Sequence, residues 1–378
     1  MRRVLACPMF LLLALIASIA LVAAPGVRAA PQPNAVRDIA AVPPAFSTPV
    51  RVARGSFEDI SEVVDSTNHV HIAAVDGAGA AWYITNRNGA WSSHKILRKP
   101  ATGWYRGPLI AIDEHDRVSI AVTKWLDQGC ASGGIFYVTD KGRARGTFPS
   151  AVTQIAPAGR VGTSLKVATG HLYLAMDDAA CAGGPMPSVR FRTNASGAWA
   201  TATLGKGDQS SMRLATNGHA RIAYAGATGL EYAVAATTSG SFSTTKIPST
   251  TGKDDGPILS LDPHGYSAAA WWHATATGWT VRYSTRKSGS WSTPATVATS
   301  SDGFDAVAFD MDTLGRPNIV LANTGDEMLR DLRLAGGTWT SSAIAGPDVF
   351  YSVSVRRSFS GSVVVAWVTD SGIYVSKG

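Results

Sequence analysis

The sequence predicts an all-β chain folded as a seven-bladed β-propeller of four-stranded antiparallel blades, and three observations predict it. A unit of roughly 40 to 55 residues recurs along the chain, which is the spacing of propeller blades. The composition has 38 glycines, only 16% charged residues and abundant Ser, Thr and Ala, which suits short strands joined by tight turns. No window beyond the N-terminal segment shows helical periodicity. The string "AFSTPVRVA" from Ala45 nearly repeats "SWSTPATVA" from Ser290, where it closes a full unit.

In chain order, Arg2 and Arg3, the apolar run from Met9 to Ala24 and the small residues of Val27-Arg28-Ala29 read as a secretory signal covering residues 1–29. An uncleaved N-terminal anchor is the alternative reading of the same run. Its removal leaves 31 basic against 27 acidic residues, a formal charge of +4, with no Lys/Arg stripe. Nucleic acid is therefore not expected as a partner, and neither is stable membrane insertion after cleavage. Residues 30–44 read as a disordered or extended linker, and residues 45–378 as one propeller domain, expected to be secreted and monomeric.

Within that domain each unit reads as a short strand ending near Asp, a tight turn, an Ile-Ala-aromatic strand, a Gly-containing loop, an aromatic-rich strand, a second turn, then Trp and a polar strand. Units begin near Ile60, Leu109, Leu165, Arg213, Leu259, Val307 and Ser352, and number blades 1 to 7. The clearest are "RLATNGHARIAYAGATGLEYAVAATTSGSFSTTKIP" and "LSLDPHGYSAAAWWHATATGWTVRYSTRKSGSWSTPATVA". The seventh stops at Gly378, where its Trp and last strand should follow. Phe46-Ser47-Thr48-Pro49-Val50 is expected to supply that strand from the other end, because ring closure removes two exposed sheet edges.

Strands alternate in direction, so second-to-third loops and blade-to-blade connections share one face, the upper face. First-to-second and third-to-fourth turns share the lower one and are expected to stay short. Cys7 leaves with the signal segment. Cys130 ("WLDQGCASGG") and Cys181 ("MDDAACAGGP") fall in second-to-third loops of neighbouring blades, and a disulfide is expected between them.

The turns "NGAW", "ASGAW" and "SGSW" before the fourth strands resemble those of sialidase-like, BNR-type propellers of secreted bacterial proteins. The resemblance spans the mature chain as repeat architecture. The Asp-box of those proteins, Ser-x-Asp-x-Gly-x-x-Trp, lacks its aspartate here and its glycine is displaced. No arginine triad and no Tyr–Glu pair fall on matching positions, so the resemblance carries the fold and not the activity.

Candidate site residues divide by face. His69, His115, His171, His219 and His264 sit in lower turns, while His71 and His94 are expected to be surface or packing residues. Asp65, Asp113, Asp262 and Asp310 are expected to cap lower turns, and "DMDTLG" from Asp310 lacks the donors of a calcium loop. No metal or cofactor is expected. Asp59, Asp208, Asp255 and Asp305 precede first strands, and with Tyr105, Arg106, Arg160 and Tyr351 they are expected to form a polar funnel at the upper mouth of the channel. Trp91, Trp199, Trp291 and Trp339 open fourth strands and read as packing between blades, and Tyr224, Trp271 and Trp367 as core. Trp125, Trp272 and Trp279 break the pattern beside upper loops, where aromatic faces stack on sugar rings. The expected function is binding of a glycan or an extracellular protein there, without turnover. The alternative is a glycan-cleaving hydrolase or lyase using His273, Asp255, Asp305 and Tyr351. No Gly-x-Ser-x-Gly elbow or phosphate loop is present.

Overall fold

The computed structural model describes residues 45–126, 131–179, 184–358 and 360–378. They form seven antiparallel sheets arranged as blades, each of four strands. Blade 5 divides its outermost strand into Ser290–Trp291 and Ala295–Ser300. The innermost strands, which line the channel, are Phe57–Val64, Trp104–Ile112, Arg160–Ala168, Asp208–Leu214, Asp254–Leu261, Phe304–Met311 and Ser352–Arg357. Second strands such as Val70–Asp76 and Val363–Thr369 are buried along nearly their whole length. They read as continuous apolar runs for that reason: both faces meet neighbouring blades.

The core is a set of inter-blade clusters rather than one centre. Tyr232 and Trp271, from blades 4 and 5, share one cluster with Leu259. Trp291 packs on it edge-on to Tyr232, with ring centroids 5.1 Å apart. Trp91 and Trp339 likewise pack against the clusters of the preceding blades. Trp199 departs from the expected packing role. It is 37% exposed and lies under the Arg192 guanidinium of its own blade, 4.8 Å from the ring centroid.

The ring closes as expected but further along the chain. The fourth strand of blade 7 is Val50–Arg54, paired antiparallel with Gly372–Lys377. Phe46–Pro49 precedes it, and Ser47 donates its amide to Lys377 O at 2.8 Å. The same division occurs in blade 5, where the proline of "STP" separates the two segments of the outer strand. A proline lacks the N–H a ladder needs, so the strand starts after it.

Two further expectations are corrected. The lower turns do not all stay short: the third-to-fourth connection of blade 2 runs over residues 140–152, whereas the same connection is 86–91 in blade 1 and 194–199 in blade 3. Asp310 is a strand residue facing the channel, and Asp312 caps the turn, accepting the amides of Leu314 and Arg316 at 2.8 and 2.7 Å. Asp65, Asp113 and Asp262 cap their turns in the same way. His71 is fully buried. It bridges the Tyr83 hydroxyl, 2.6 Å from Nδ1, and the Asp65 carboxylate, 3.1 Å from Nε2. Burial pushes its imidazole down to about 4, so it stays neutral and acts as an internal tie.

Candidate functional site at the channel mouth

The innermost strands enter the ring at the upper mouth, and in blades 1 to 6 each carries a register shift against its second strand at that end. Such bulges turn side chains that would face the next blade toward the channel. Gln209, inside the blade 4 bulge, has φ +50°, a conformation a non-glycine residue holds only when its surroundings enforce it. Gly256, at the corresponding point of blade 5, has φ +57°, and a Cβ there would come within 3.0 Å of the Trp272 ring. The glycine lets that indole lie across the mouth.

The upper channel is a cavity of about 420 Å³. Thr163, Ser164, Gln209, Ser210 and Ser211 give it hydroxyl and amide groups, Trp272 forms one wall, and Arg213 and Arg356 reach its base. Trp272 also walls a second cleft of about 260 Å³, with Trp279, Asp302, Gly303, Phe304 and Thr324. Trp279 is 42% exposed there. Trp272 Nε1 is buried and has no acceptor among the described residues. The two volumes thus share one indole.

Below, the lower channel holds about 210 Å³ lined by Lys166, Arg213, Asp310 and Arg356. Asp310 Oδ1 accepts from Ser260 at 2.8 Å and lies 3.9 Å from Arg213 Nη2. Burial, then the neighbouring Arg213 and Arg356, holds the Lys166 ammonium well below the usual lysine range. Arg213 is brought down to about 10, again by burial first and Arg356 second. Burial holds the Glu62 carboxyl well above the usual range. It is fully buried with no hydrogen-bond donor for either oxygen among the described residues, the surroundings of a protonated acid.

The funnel carboxylates occupy the rim, where their surroundings differ. Asp59 accepts from Ser352 Oγ (2.9 Å) and the Ile60 amide (2.9 Å), yet burial pushes it up to about 6. Asp177, which the sequence did not single out, accepts from Ser210 Oγ at 2.8 Å and is pushed up to about 7 by burial. Asp208 is raised by burial and by Asp255 beside it. Asp305 is exposed and accepts from Thr324 at 3.0 Å, which places it next to the tryptophan cleft.

The remaining candidates scatter. His273 is held by Asp254, not Asp255: its Nδ1 lies 3.0 Å from Asp254 Oδ1, which also accepts from Trp271 Nε1 at 2.7 Å. Arg106 faces Glu58 at 3.4 Å, and Arg160 pairs with Asp178 at 2.6 Å. Tyr351 is exposed and donates to Asp370 at 2.7 Å. Trp125 lies opposite Trp104 at the end of its strand and belongs to neither the cleft nor the channel. Tyr105 is not a funnel residue. It is 6% exposed, packs edge-on to Phe136 and faces the gap between blades 1 and 2, because its strand parity turns it away from the channel. Cys130 and Cys181 lie outside the described residues.

No family model matches the sequence, and no curated protein matches it either. Solved structures do share its shape. A protein of unknown function from Dyadobacter fermentans superposes with TM-score 0.58 at 10% identity, over 88% of this chain and 99% of that one. A polysaccharide lyase, an ulvan lyase, does so with TM-score 0.57 at 12% identity, over 86% and 94%. The intramolecular trans-sialidase from Ruminococcus gnavus follows with TM-score 0.46 at 10% identity, over 86% and 95%. At these identities the likeness is one of fold: the chain is a seven-bladed propeller similar in architecture to the polysaccharide lyase.

Proposed function

We propose that the protein binds a glycan at the upper mouth of its channel. The observation that carries this reading is Trp272, one indole forming the common wall of a hydroxyl-lined cavity and a cleft with the exposed Trp279. The C–H face of a sugar ring packs on an indole, and its hydroxyls need donors and acceptors around the rim. Gln209, Ser210, Ser211, Asp302 and Thr324 provide them. Largely preformed concave sites with aromatic walls and a few placed polar groups are the usual form of small-ligand sites. The fold shared with a polysaccharide lyase is in keeping with a glycan ligand.

Binding without turnover is the first reading. Cleavage by a hydrolase or lyase is the second, and the specific observation favouring it is the pair of rim acids, Asp59 and Asp177, held near neutral pH as a general acid must be. An extracellular protein partner is the third. We further propose that the chain is exported, that residues 1–29 are removed, and that Cys130 and Cys181 pair. Incubation with an immobilised glycan panel, scoring retained protein and released fragments together, separates these readings. Trp279→Ala is expected to weaken retention about tenfold or more, in keeping with loss of one aromatic stacking surface. Retention unchanged by both Trp272→Ala and Trp279→Ala contradicts the site.

A further inference from the structure

We propose that the groove between blades 1 and 2 is a second binding site, separate from the channel mouth, for an anionic polysaccharide chain bearing sulfate or carboxylate groups. The groove holds about 900 Å³. One wall is the outermost strand of blade 1, Ser92–Leu97, and the other is the long 140–152 connection of blade 2. Arg87, Arg98 and Arg145 line it together with the His94 imidazole, and among the described residues no carboxylate does. Lys95 borders the groove, but its ammonium lies over the Trp82 ring on the other face of the strand, 4.9 Å from the centroid.

The acids beneath are buried behind Arg87 and hydrogen-bonded within the fold. Asp140 is fully buried and accepts the amides of Val118 and Gly146 at 2.8 and 2.7 Å. Asp65 accepts from Thr67, His69 and His71. Arg87 is held in place by donating Nη2 to Asp116 O at 2.8 Å. Its Nη1 and Nε lie 3.7 and 4.0 Å from Asp140 and Asp65, and neither nitrogen has a hydrogen-bond acceptor among the described residues. Arg145 lies a loose 3.9 Å from the Asp116 carboxylate. Cations on both walls of one concavity, Arg98 on the blade 1 side and Arg145 on the blade 2 side, with Arg87 beneath them, concentrate anions there.

The shape of the site selects a chain over a small anion. Arg98 sits on the blade 1 wall and Arg145 on the blade 2 connection, and the volume of about 900 Å³ is far larger than one phosphate or sulfate fills. The aromatic groups argue against a nucleic acid. Tyr83 is fully buried, and Phe148 is half-buried and packs edge-on against it at 5.1 Å, so the groove lacks the row of exposed rings that base stacking uses. Thr85, Ser92, Thr147 and Ser150 instead offer hydroxyls to a sugar backbone. The wall is preformed, which keeps the ordering cost of binding low. Besides Asp140, Arg117 Nη1 donates to Arg143 O at 2.8 Å and Arg145 Nη2 to His115 O at 2.9 Å.

The test uses the full chain with dextran sulfate and unsulfated dextran of equal length as probes, titrated at low and high salt. Dextran sulfate is expected to bind in a salt-sensitive manner and dextran is not. Arg98→Gln/Arg145→Gln should weaken binding about tenfold or more at low salt. Arg98→Glu, which leaves the 140–152 connection untouched, should do the same with an unchanged melting temperature. Trp279→Ala should leave dextran sulfate binding intact. Binding unaffected by the groove variants, binding lost with Trp279→Ala, or equal competition by duplex DNA of matched charge would each overturn the proposal.

Discussion

At the scale of single residues, the channel mouth is marked by carboxyl groups whose protons are retained. Asp177 is the clearest: its carboxyl is pushed up to about 7 from the ordinary 3.8, with burial as the main cause. The folded state therefore keeps this proton over a range where the unfolded chain has released it. Its contribution to stability is fully present below pH 3.8 and is lost as pH rises through about 7. Asp177→Asn keeps an acceptor for Ser210 without the buried charge. It should raise the melting temperature by roughly 2 °C or more at pH 8 and change it little at pH 4. A wild-type advantage at pH 8 would refute this assignment. Asp254 shows how narrowly sequence reading misses. Adjacent carboxylates on a strand point to opposite faces, so Asp254 meets Trp271 and His273 while Asp255 faces the rim. The motif "DDG" shows both acids but not which face is inside. Asp310 and Asp312 would share a face by that period, and the end of the strand at Met311 is what separates Asp310, in the channel, from Asp312, at the turn.

At the scale of elements, the closing strand decides whether the ring holds. Val52 and Ala53 are buried in one cluster with Ile373, Val375 and the first strands of blade 1. Removing residues through Arg54 would strip that cluster and leave Gly372–Lys377 as an open sheet edge. The truncated chain should lose about 10 °C or more of melting temperature and form oligomers on size exclusion. An unchanged monomer would contradict the role given to the strand. Element existence was legible because every blade repeats the same alternation of turn, apolar strand and Trp. Boundaries were less so. Proline moved the closing strand from residues 46–50 to Val50–Arg54, and the 140–152 connection hides as ordinary turn composition, "DKGRARGTFPSAV", although its length and three cations were visible. The bulges at the mouth left a trace as well, in the "GP" pairs at Gly107 and Gly256, where a strand would otherwise run on.

At the scale of the whole molecule, ring closure brings together residues that sequence reading can only sort by face. Trp272 and Trp279 stand out in the sequence because they break the repeat. Arg213, Lys166 and Arg356 escaped notice because each looks like one charge at the end of an apolar strand until seven strands converge on a channel. Tyr105 was misplaced for the converse reason, since the repeat gives its strand but not its facing. The proposed Cys130–Cys181 pairing is testable by chemistry alone. Peptide mapping without reduction should recover them as one linked species, and free thiols at both positions would defeat the pairing. The account rests most on the shared tryptophan wall of the channel and cleft, and retention of the protein on an immobilised glycan panel, run beside Trp272→Ala and Trp279→Ala, tests it directly. Retention of the wild type that both substitutions weaken is the predicted result. A protein that ignores every glycan, or that is retained equally well without either indole, would contradict it.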